Sequence, residues 1–285
     1  VTSFDGTERC DVVVIGGGSA AFEVAVAARE RGAEKIIMLE KAPETEYGGN
    51  ARYSGTGFRF WHNGLQEIRE FVPDIGDEYF QNLHIPPYTQ EDFLADLRRM
   101  TLGRIDPTLA ATLVEQSNAA VHWMKNAGIR WELLKEHAKV GNKRYFERGI
   151  AIHVAGGGVG QLEQWRRIAA SKNIEIRFMS AVSKVHGNMH RVEGVRVCTP
   201  DREYDLNAQA VIACAGGFQA SAEMRARYLD GNVDFVKVRG SKHDTGEVLN
   251  YLLALGAATA GQWQSGHMSP IDAKAPDFET PQHAD

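Results

Sequence analysis

Residues 11–41, DVVVIGGGSAAFEVAVAARERGAEKIIMLEK, decide how the rest of the chain is read. Residues 11–16, DVVVIG, form a short continuous apolar run, the pattern of a strand covered on both faces. Residues 19–32 carry alanine and valine at helical spacing and stop at Gly32. Residues 35–41, KIIMLEK, repeat the buried-strand pattern, so the stretch has the length of a β–α–β unit. The glycines fall at its first turn. Gly16 permits a tight turn, and Gly18 lets backbone N–H groups approach a pyrophosphate at the helix N-terminus. The third position needs only a small side chain against the strand, so Ala21 is acceptable there. Glu40 follows Ala21 by 19 residues, at the end of the second strand. A carboxylate at that point accepts ribose hydroxyls and repels a 2′-phosphate. The stretch therefore predicts a dinucleotide site.

Bulk properties narrow the class. The chain has 285 residues, 43% apolar and 24% charged, with a net charge of −5. That acidity argues against a nucleic-acid or membrane-surface partner, which would need a basic patch. No segment approaches the ~18 uninterrupted apolar residues of a membrane span. Residues 1–10, VTSFDGTERC, lack the basic and apolar regions of a signal peptide. Cys10, Cys198 and Cys214 are far apart and have no metal-ligand spacing, and Cys214 reads as a small buried hydrophobe. The scattered histidines predict no metal site. A reduced, cytoplasmic protein is expected.

Beyond the first unit, residues 61–150 read as a mainly helical side layer. TQEDFLADLRRM starts at Thr89 with an acidic first turn. The next helix has Asp106 at its N-cap, Pro107 in its first turn and Gly128 as its stop, with Leu109, Leu113, Val114, Val121 and Met124 on one face. Trp123, Trp131 and Trp165 read as packing groups. Residues 156–217 return to α/β: a glycine-rich turn into a helix, two alternating strands, and a buried strand, AQAVIACAGGF, ending in a glycine pair. A further helix runs from Thr245 to Gly256.

The choice of cofactor turns on residues 48–58, GGNARYSGTGF. A second glycine-rich loop so soon after the acidic residue suggests backbone lying along a large cofactor, as FAD requires. The Gly216–Gly217 end of the later strand can approach the same molecule.

Taken in order, GGGSAA, LEK, GGNARYSGTG, GGGVGQL, VIACAGGF, HDTGEVL and QSGHMSPID resemble the flavoprotein family of succinate dehydrogenases and fumarate reductases. Within it, the FRFWHN and HDTGEVLNYLLALGA stretches look most like tricarballylate dehydrogenase-like flavoproteins. The resemblance spans essentially the whole chain and is specific for the family, much less so for a substrate. It implies a Rossmann-like α/β fold, a parallel sheet with helices plus a small antiparallel β-meander, with residues 1–260 as the FAD-binding domain.

The resemblance also implies roles. Gly16, Gly18, Ser19 and Ala21 would hold the FAD pyrophosphate, and Glu40 and Lys41 would lie at the adenosine ribose. Gly48, Gly49 and Asn50 would meet pyrophosphate and ribityl, with Ser54, Gly55, Thr56 and Gly57 near the isoalloxazine. Val182 matches a residue whose backbone meets adenine. Ala215, Gly216 and Gly217 would line the cofactor, with Asp244, Thr245 and Gly246 in a later loop. Covalently flavinylated members carry His where this chain has Asn50, so FAD is expected without a covalent link. His267 resembles a substrate-binding His of the family, although Ser265, Gly266, Met268 and Ser269 depart from the usual neighbours. Arg59 and His62 match residues of tricarballylate-type enzymes, where an Arg fork suits a carboxylate. Arg148 and His153, beside the glycines at 156–158, read as structural.

Two family features are missing from the sequence: a capping domain with an Arg proton donor, and a C-terminal return to the FAD domain. Residues 261–285 are expected to be the start of a truncated cap or a linker, and the chain a fragment. The implied activity is oxidation or reduction of a C–C bond in a small di- or tricarboxylic acid, with a membrane or soluble electron-transfer partner for the full-length enzyme. Two alternatives stand beside it: a 3-ketosteroid dehydrogenase-like flavoenzyme with an apolar cleft, and a non-catalytic FAD-binding module.

Overall fold

The computed structural model describes residues 3–268 and 270–278, with side chains from Glu8 onward. Its elements begin with β1 (Ser3–Ile15), α1 (Ser19–Glu30) and β2 (Ile36–Leu39). Next come α2 (Leu65–Phe71), α3 (Asp77–Phe80), β3 (Leu83–His84), α4 (Gln90–Met100) and α5 (Pro107–Ala127). Four short strands follow: β4 (Trp131–Leu133), β5 (Ala138–Val140), β6 (Lys143–Tyr145) and β7 (Ile152–Val154). The chain continues through α6 (Gly157–Ser171), β8 (Glu175–Arg177), β9 (Ala181–Asn188), β10 (Arg191–Cys198) and β11 (Arg202–Ala213), and ends in α7 (Ala222–Tyr228) and α8 (Glu247–Ala254). Among the described residues no helix is long and apolar enough to cross a membrane.

The chain forms two compact units. The sheet unit comprises Val1–Ser54 and Trp165–Asp285, and the insert unit comprises Gly55–Gln164.

In the sheet unit six strands are ordered β8-β2-β1-β11-β10-β9. β8, β2, β1 and β11 pair in parallel, and β11, β10 and β9 form an antiparallel meander. This is the expected Rossmann-like sheet with its small antiparallel addition. The continuous apolar runs make sense in register: Val12 lies beside Ile36, and Ile15 beside Leu39. Alternation then divides them between two buried faces. Val13, Ile15, Ile37 and Leu39 enter one core with Val195, Val197 and Leu206. α1 buries Ala21, Phe22, Ala25 and Val26. The outcome differs at β11, where residues 208–213 are only partly covered rather than buried. Cys214 just beyond them is likewise half-buried.

Residues 61–150 are helical only in their first part, since β4, β5 and β6 occupy the stretch after residue 130 and β7 follows at Ile152–Val154. The helix signals at α4 and α5 act as written. Thr89 Oγ accepts Asp92 N–H and Asp92 Oδ2 accepts Thr89 N–H in return, a complete capping box. Asp106 accepts Thr108 and Leu109 N–H, and Gly128 closes α5 in the left-handed region. The buried face of α5 is Ala110, Val114, Val121 and Met124. Leu109 and Leu113 are 69% and 53% exposed instead. Each stands one residue, about 100° of helix rotation, before a buried position, which turns it off the core face. Trp131 and Trp165 are core residues, at 5% and 0% exposure.

One stability prediction arises here. Thr89→Ala removes one side of the capping box and should cost about 1 kcal/mol of unfolding free energy, with Thr89→Ser near neutral. Urea unfolding of the two variants checks it.

Residues 261–285, expected to begin a cap, are described except for Ser269 and residues 279–285, which lie outside the described residues. The described part is turns and bends, tied back by Trp263 against Phe218 and Tyr228 and by Val238 N–H donating to Asp277 O at 2.8 Å.

Candidate dinucleotide site

The sheet unit holds a cavity of about 590 Å³ at the C-terminal ends of its parallel strands. That size suits a small-molecule ligand, and the position is where open α/β sheets bind theirs.

The first wall is the turn between β1 and α1. Gly16 adopts φ +120°, and a Cβ there would lie 2.3 Å from Cys214 O. The turn is held from both neighbours, by Gly16 N–H to Leu39 O and Cys214 N–H to Ile15 O, each 2.8 Å. Gly18 is the N-cap of α1 and offers no capping side chain, and the first turn of the helix has no acid. Ser19 Oγ donates to Glu23 Oε1 at 2.8 Å. What this end presents is therefore backbone N–H at a positive helix pole, a setting for an anion. Ala21 does not line the cavity but is fully buried between helix and sheet, in keeping with smallness as its requirement.

The second wall is the end of β2. Glu40 is 6% exposed and lines the cavity. Burial raises its pKa, opposed by N–H donors from Ala42, at 2.7 Å, and Gly17. A Cβ on Gly17 would sit 2.6 Å from Glu40 Oε2, so glycine there makes room for the carboxylate. Lys41 lines the cavity and donates to Thr245 Oγ and to Glu247 Oε2, the latter at 3.0 Å.

The third wall is the glycine loop. Gly48 and Gly49 have φ +113° and +53°, and a one-turn 3₁₀ helix follows over Gly49–Tyr53. Gly48 O lies 3.3 Å from where a Gly18 Cβ would be, so the two glycine turns touch. Asn50 Oδ1 accepts Ser241 N–H at 2.9 Å. The place of a Gly240 Cβ is 2.4 Å from Asn50 Oδ1 but 3.7 Å from Nδ2, so the amide nitrogen is turned away from that loop.

The remaining walls come from distant sequence. Val182 of β9 lines one side, and Ala215, Gly216 and Gly217 continue β11 along another. Asp244 is wedged among glycines: its Oδ1 lies 2.6 Å from a Gly216 Cβ position and 3.5 Å from that of Gly49. It is 6% exposed and accepts Gln219 Nε2–H at 2.7 Å. Burial pushes its pKa up to about 6. Gly246 also lines the cavity, whereas Thr245 stands outside it.

Several lining residues carry no local sequence signal: Ser180, Ala181 and Ser183 around β9, Cys198 at the end of β10, and Glu247, Val248 and Tyr251 on α8. Cys214 also lines the cavity rather than filling a core. The i, i+4 spacing of Glu247 and Tyr251 on a capped helix is the one pattern that could have marked a shared face.

Other expected site residues do not reach this cavity. Ser54 ends the 3₁₀ segment in the sheet unit. Gly55, Thr56 and Gly57 belong to the insert unit, where Thr56 has φ +54° and exchanges bonds with Val154 while Gly57 bridges His153. Gly55 has open space around it. Arg59 donates to Arg148 O at 3.2 Å and stands 3.9 Å from Asp96, over the Tyr88 ring. His62 is 2% exposed. Its Nδ1 accepts Gly64 N–H, which leaves a neutral Nε2–H tautomer without a partner, and burial lowers its pKa. It packs beside Phe60 and Tyr88, so it is a core residue of the insert unit and not open to a substrate. His267 is exposed, in a segment of the sheet unit without regular structure.

Glycines at the points of closest approach, a helix N-terminus free of acid and a buried carboxylate at the β2 end together fit an adenine dinucleotide. Comparison with known proteins agrees. The family described as FAD binding domain matches residues 11–269. A probable fumarate reductase of Shewanella frigidimarina is 27% identical over 224 residues, covering 78% of this chain and 34% of the relative. A urocanate reductase of Eggerthella lenta is 26% identical over 227 residues, with shares of 78% and 34%. The solved open conformation of a flavocytochrome c3 fumarate reductase superposes with a TM-score of 0.70 at 25% identity, covering 88% of this chain and 41% of that one. The chain thus spans about a third of the length of these curated relatives.

Proposed function

The chain belongs to the FAD binding domain family, among the flavoproteins of the succinate dehydrogenase and fumarate reductase type; from that premise we propose that it forms the cofactor-binding part of an oxidoreductase acting on the C–C bond of a small di- or tricarboxylic acid, such as tricarballylate, succinate or fumarate. The observation that carries the reading is the glycine-walled cavity ending on Glu40. FAD, when bound, supplies hydride transfer at N5. The chain's own residues do the rest. N–H groups at Gly18 and Ser19 take the pyrophosphate at the α1 pole. Glu40 accepts ribose hydroxyls, while the Val182 backbone lies along adenine. Asn50 lines the cavity and has no nucleophile with which to bond the cofactor covalently. Among the substrate candidates His267 is the exposed one, an imidazole able to donate to a carboxylate. Arg59 would have to leave Arg148 O and Asp96 to do so.

Two measurements test this. The purified protein should show flavin absorbance, and acid precipitation should release all of it into solution. The full-length enzyme should turn over at least one of tricarballylate, succinate and fumarate with an electron-accepting dye. Turnover of a 3-ketosteroid alone would overturn the carboxylate reading, and binding of FAD without turnover of any of these would leave a cofactor-binding module.

A further inference from the structure

Two strips of the sheet unit, residues 41–50 and 240–247, are fastened together along the rim of the cavity. At one end Asn50 Oδ1 accepts Ser241 N–H at 2.9 Å. In the middle Glu46 Oε2 takes both Lys242 Nζ, at 2.8 Å, and His243 Nε2, at 2.9 Å. At the other end Lys41 Nζ reaches Thr245 Oγ and Glu247 Oε2. The strips are close to 200 residues apart in sequence, 197 at the Glu46–His243 rung. Each rung places at least one member in the cavity wall: Asn50, then His243, then both Lys41 and Glu247. Glu46 and Lys242 stand outside that wall, 43% and 52% exposed.

This arrangement contributes little to the fold. Partly exposed pairs are individually worth under about 1 kcal/mol, and salt weakens them further. Residues 241–245 of the second strip have no regular structure, and Gly240 and Gly246, both at positive φ, bound them like hinges, with Glu247 beyond opening α8. The strip's inner surface carries Asp244 between Gly49 and Gly216, so lifting the strip would open the cavity between those glycines.

We propose that residues 241–245 are a clasp over the cofactor, that FAD enters and leaves by its lifting, and that Glu46 is the positioning residue that keeps it shut. This rests on FAD occupying the cavity. Glu46 touches no cofactor in this scheme. It acts through Lys242 and His243, holding the strip against the glycine loop.

The test is the rate at which bound FAD leaves, followed as the rise of flavin fluorescence on dilution. Glu46→Gln should speed release roughly three- to tenfold, the equivalent of losing two partly exposed pairs. High salt should speed release from the wild type by a similar factor and add little to the variant. The melting temperature of the apoprotein should stay unchanged. Lys242→Met, which removes the other exposed partner of the middle rung and lies outside the cavity wall, is the second variant and should also speed release. Unchanged release in both variants, with FAD bound normally, would overturn the clasp alone. A fall in apoprotein melting temperature that accounts for the faster release would make Glu46 merely structural and also overturn it. Failure of the wild type to retain FAD would overturn the cofactor assignment instead.

Discussion

Replacing Gly16 by valine is expected to abolish flavin binding and to destabilise the sheet unit, while Gly18→Ala should spare the fold and lose affinity. The two glycines sit two residues apart in one turn but do different work. At Gly16 the obstacle is the protein itself: φ is +120°, and any Cβ would stand 2.3 Å from Cys214 O and 2.9 Å from Cys214 C. Both atoms are backbone of the strand beside β1, so no side chain can swing aside. Strain at such a φ alone is of order 1–3 kcal/mol, and the overlap must in addition separate β1 from β11. At Gly18 the backbone is ordinary, with φ −81°, and a Cβ would meet Gly48 O at 3.3 Å, a tight contact that a small shift relieves. What a methyl group obstructs there is the approach of a pyrophosphate to the α1 N-terminus. Absorbance of bound flavin, its dissociation constant, and urea unfolding of the apoprotein separate the two effects. A Gly16→Val protein as stable as the wild type would refute the turn described here. A Gly18→Ala protein with wild-type affinity would refute a close approach at Gly18.

The legibility of this fold in its sequence follows how local each cause is. The β1–α1–β2 unit, the caps at Thr89 and Asp106, and the stop at Gly128 are set by residues within a few positions of one another, and each appears where its chemistry places it. The strands β4 to β7 were not legible: each is three residues long and gains its bonds from partners elsewhere in the insert unit, such as β7 for β4 and β3 for β6. Periodicity put Leu109 and Leu113 on the α5 core face because each differs by one step of rotation from its buried neighbour, Ala110 or Val114, and only packing tells which one is buried. Lining by residues 180–183, Cys198 and Tyr251 depends on which strand ends the sheet order brings together. Arg59 and His62 show the opposite case. Their residue types suit a carboxylate, yet in the insert unit one is engaged with Asp96 and Arg148, and the other is sealed beneath Phe60 and Tyr88.

Asp244→Asn should raise the stability of the apoprotein at alkaline pH and leave it nearly unchanged in acid. The carboxyl is 6% exposed, with one side-chain donor, Gln219. Desolvation is the largest cause of its raised pKa, the Gln219 bond and the charges of Lys41 and His243 oppose it, and the charge of Glu40 adds to it. The native state thus holds the proton more tightly than the unfolded chain, moving the group from 3.8 to about 6. Below the lower value both states are protonated and Asp244 costs nothing. As pH rises through about 6 the native state must accept a buried charge, and above it the whole difference is lost, on the order of 3 kcal/mol. Asparagine keeps the shape and an oxygen for Gln219 but never ionises. The gap between variant and wild-type melting temperatures should therefore open between acid and about pH 8. The same change removes a negative charge from the cavity wall between Gly49 and Gly216, so the variant should also bind the anionic FAD more tightly at the upper end of that range. Parallel melting curves across pH would show Asp244 to be charged at no cost in the native state, and hence solvated rather than wedged between Gly49 and Gly216.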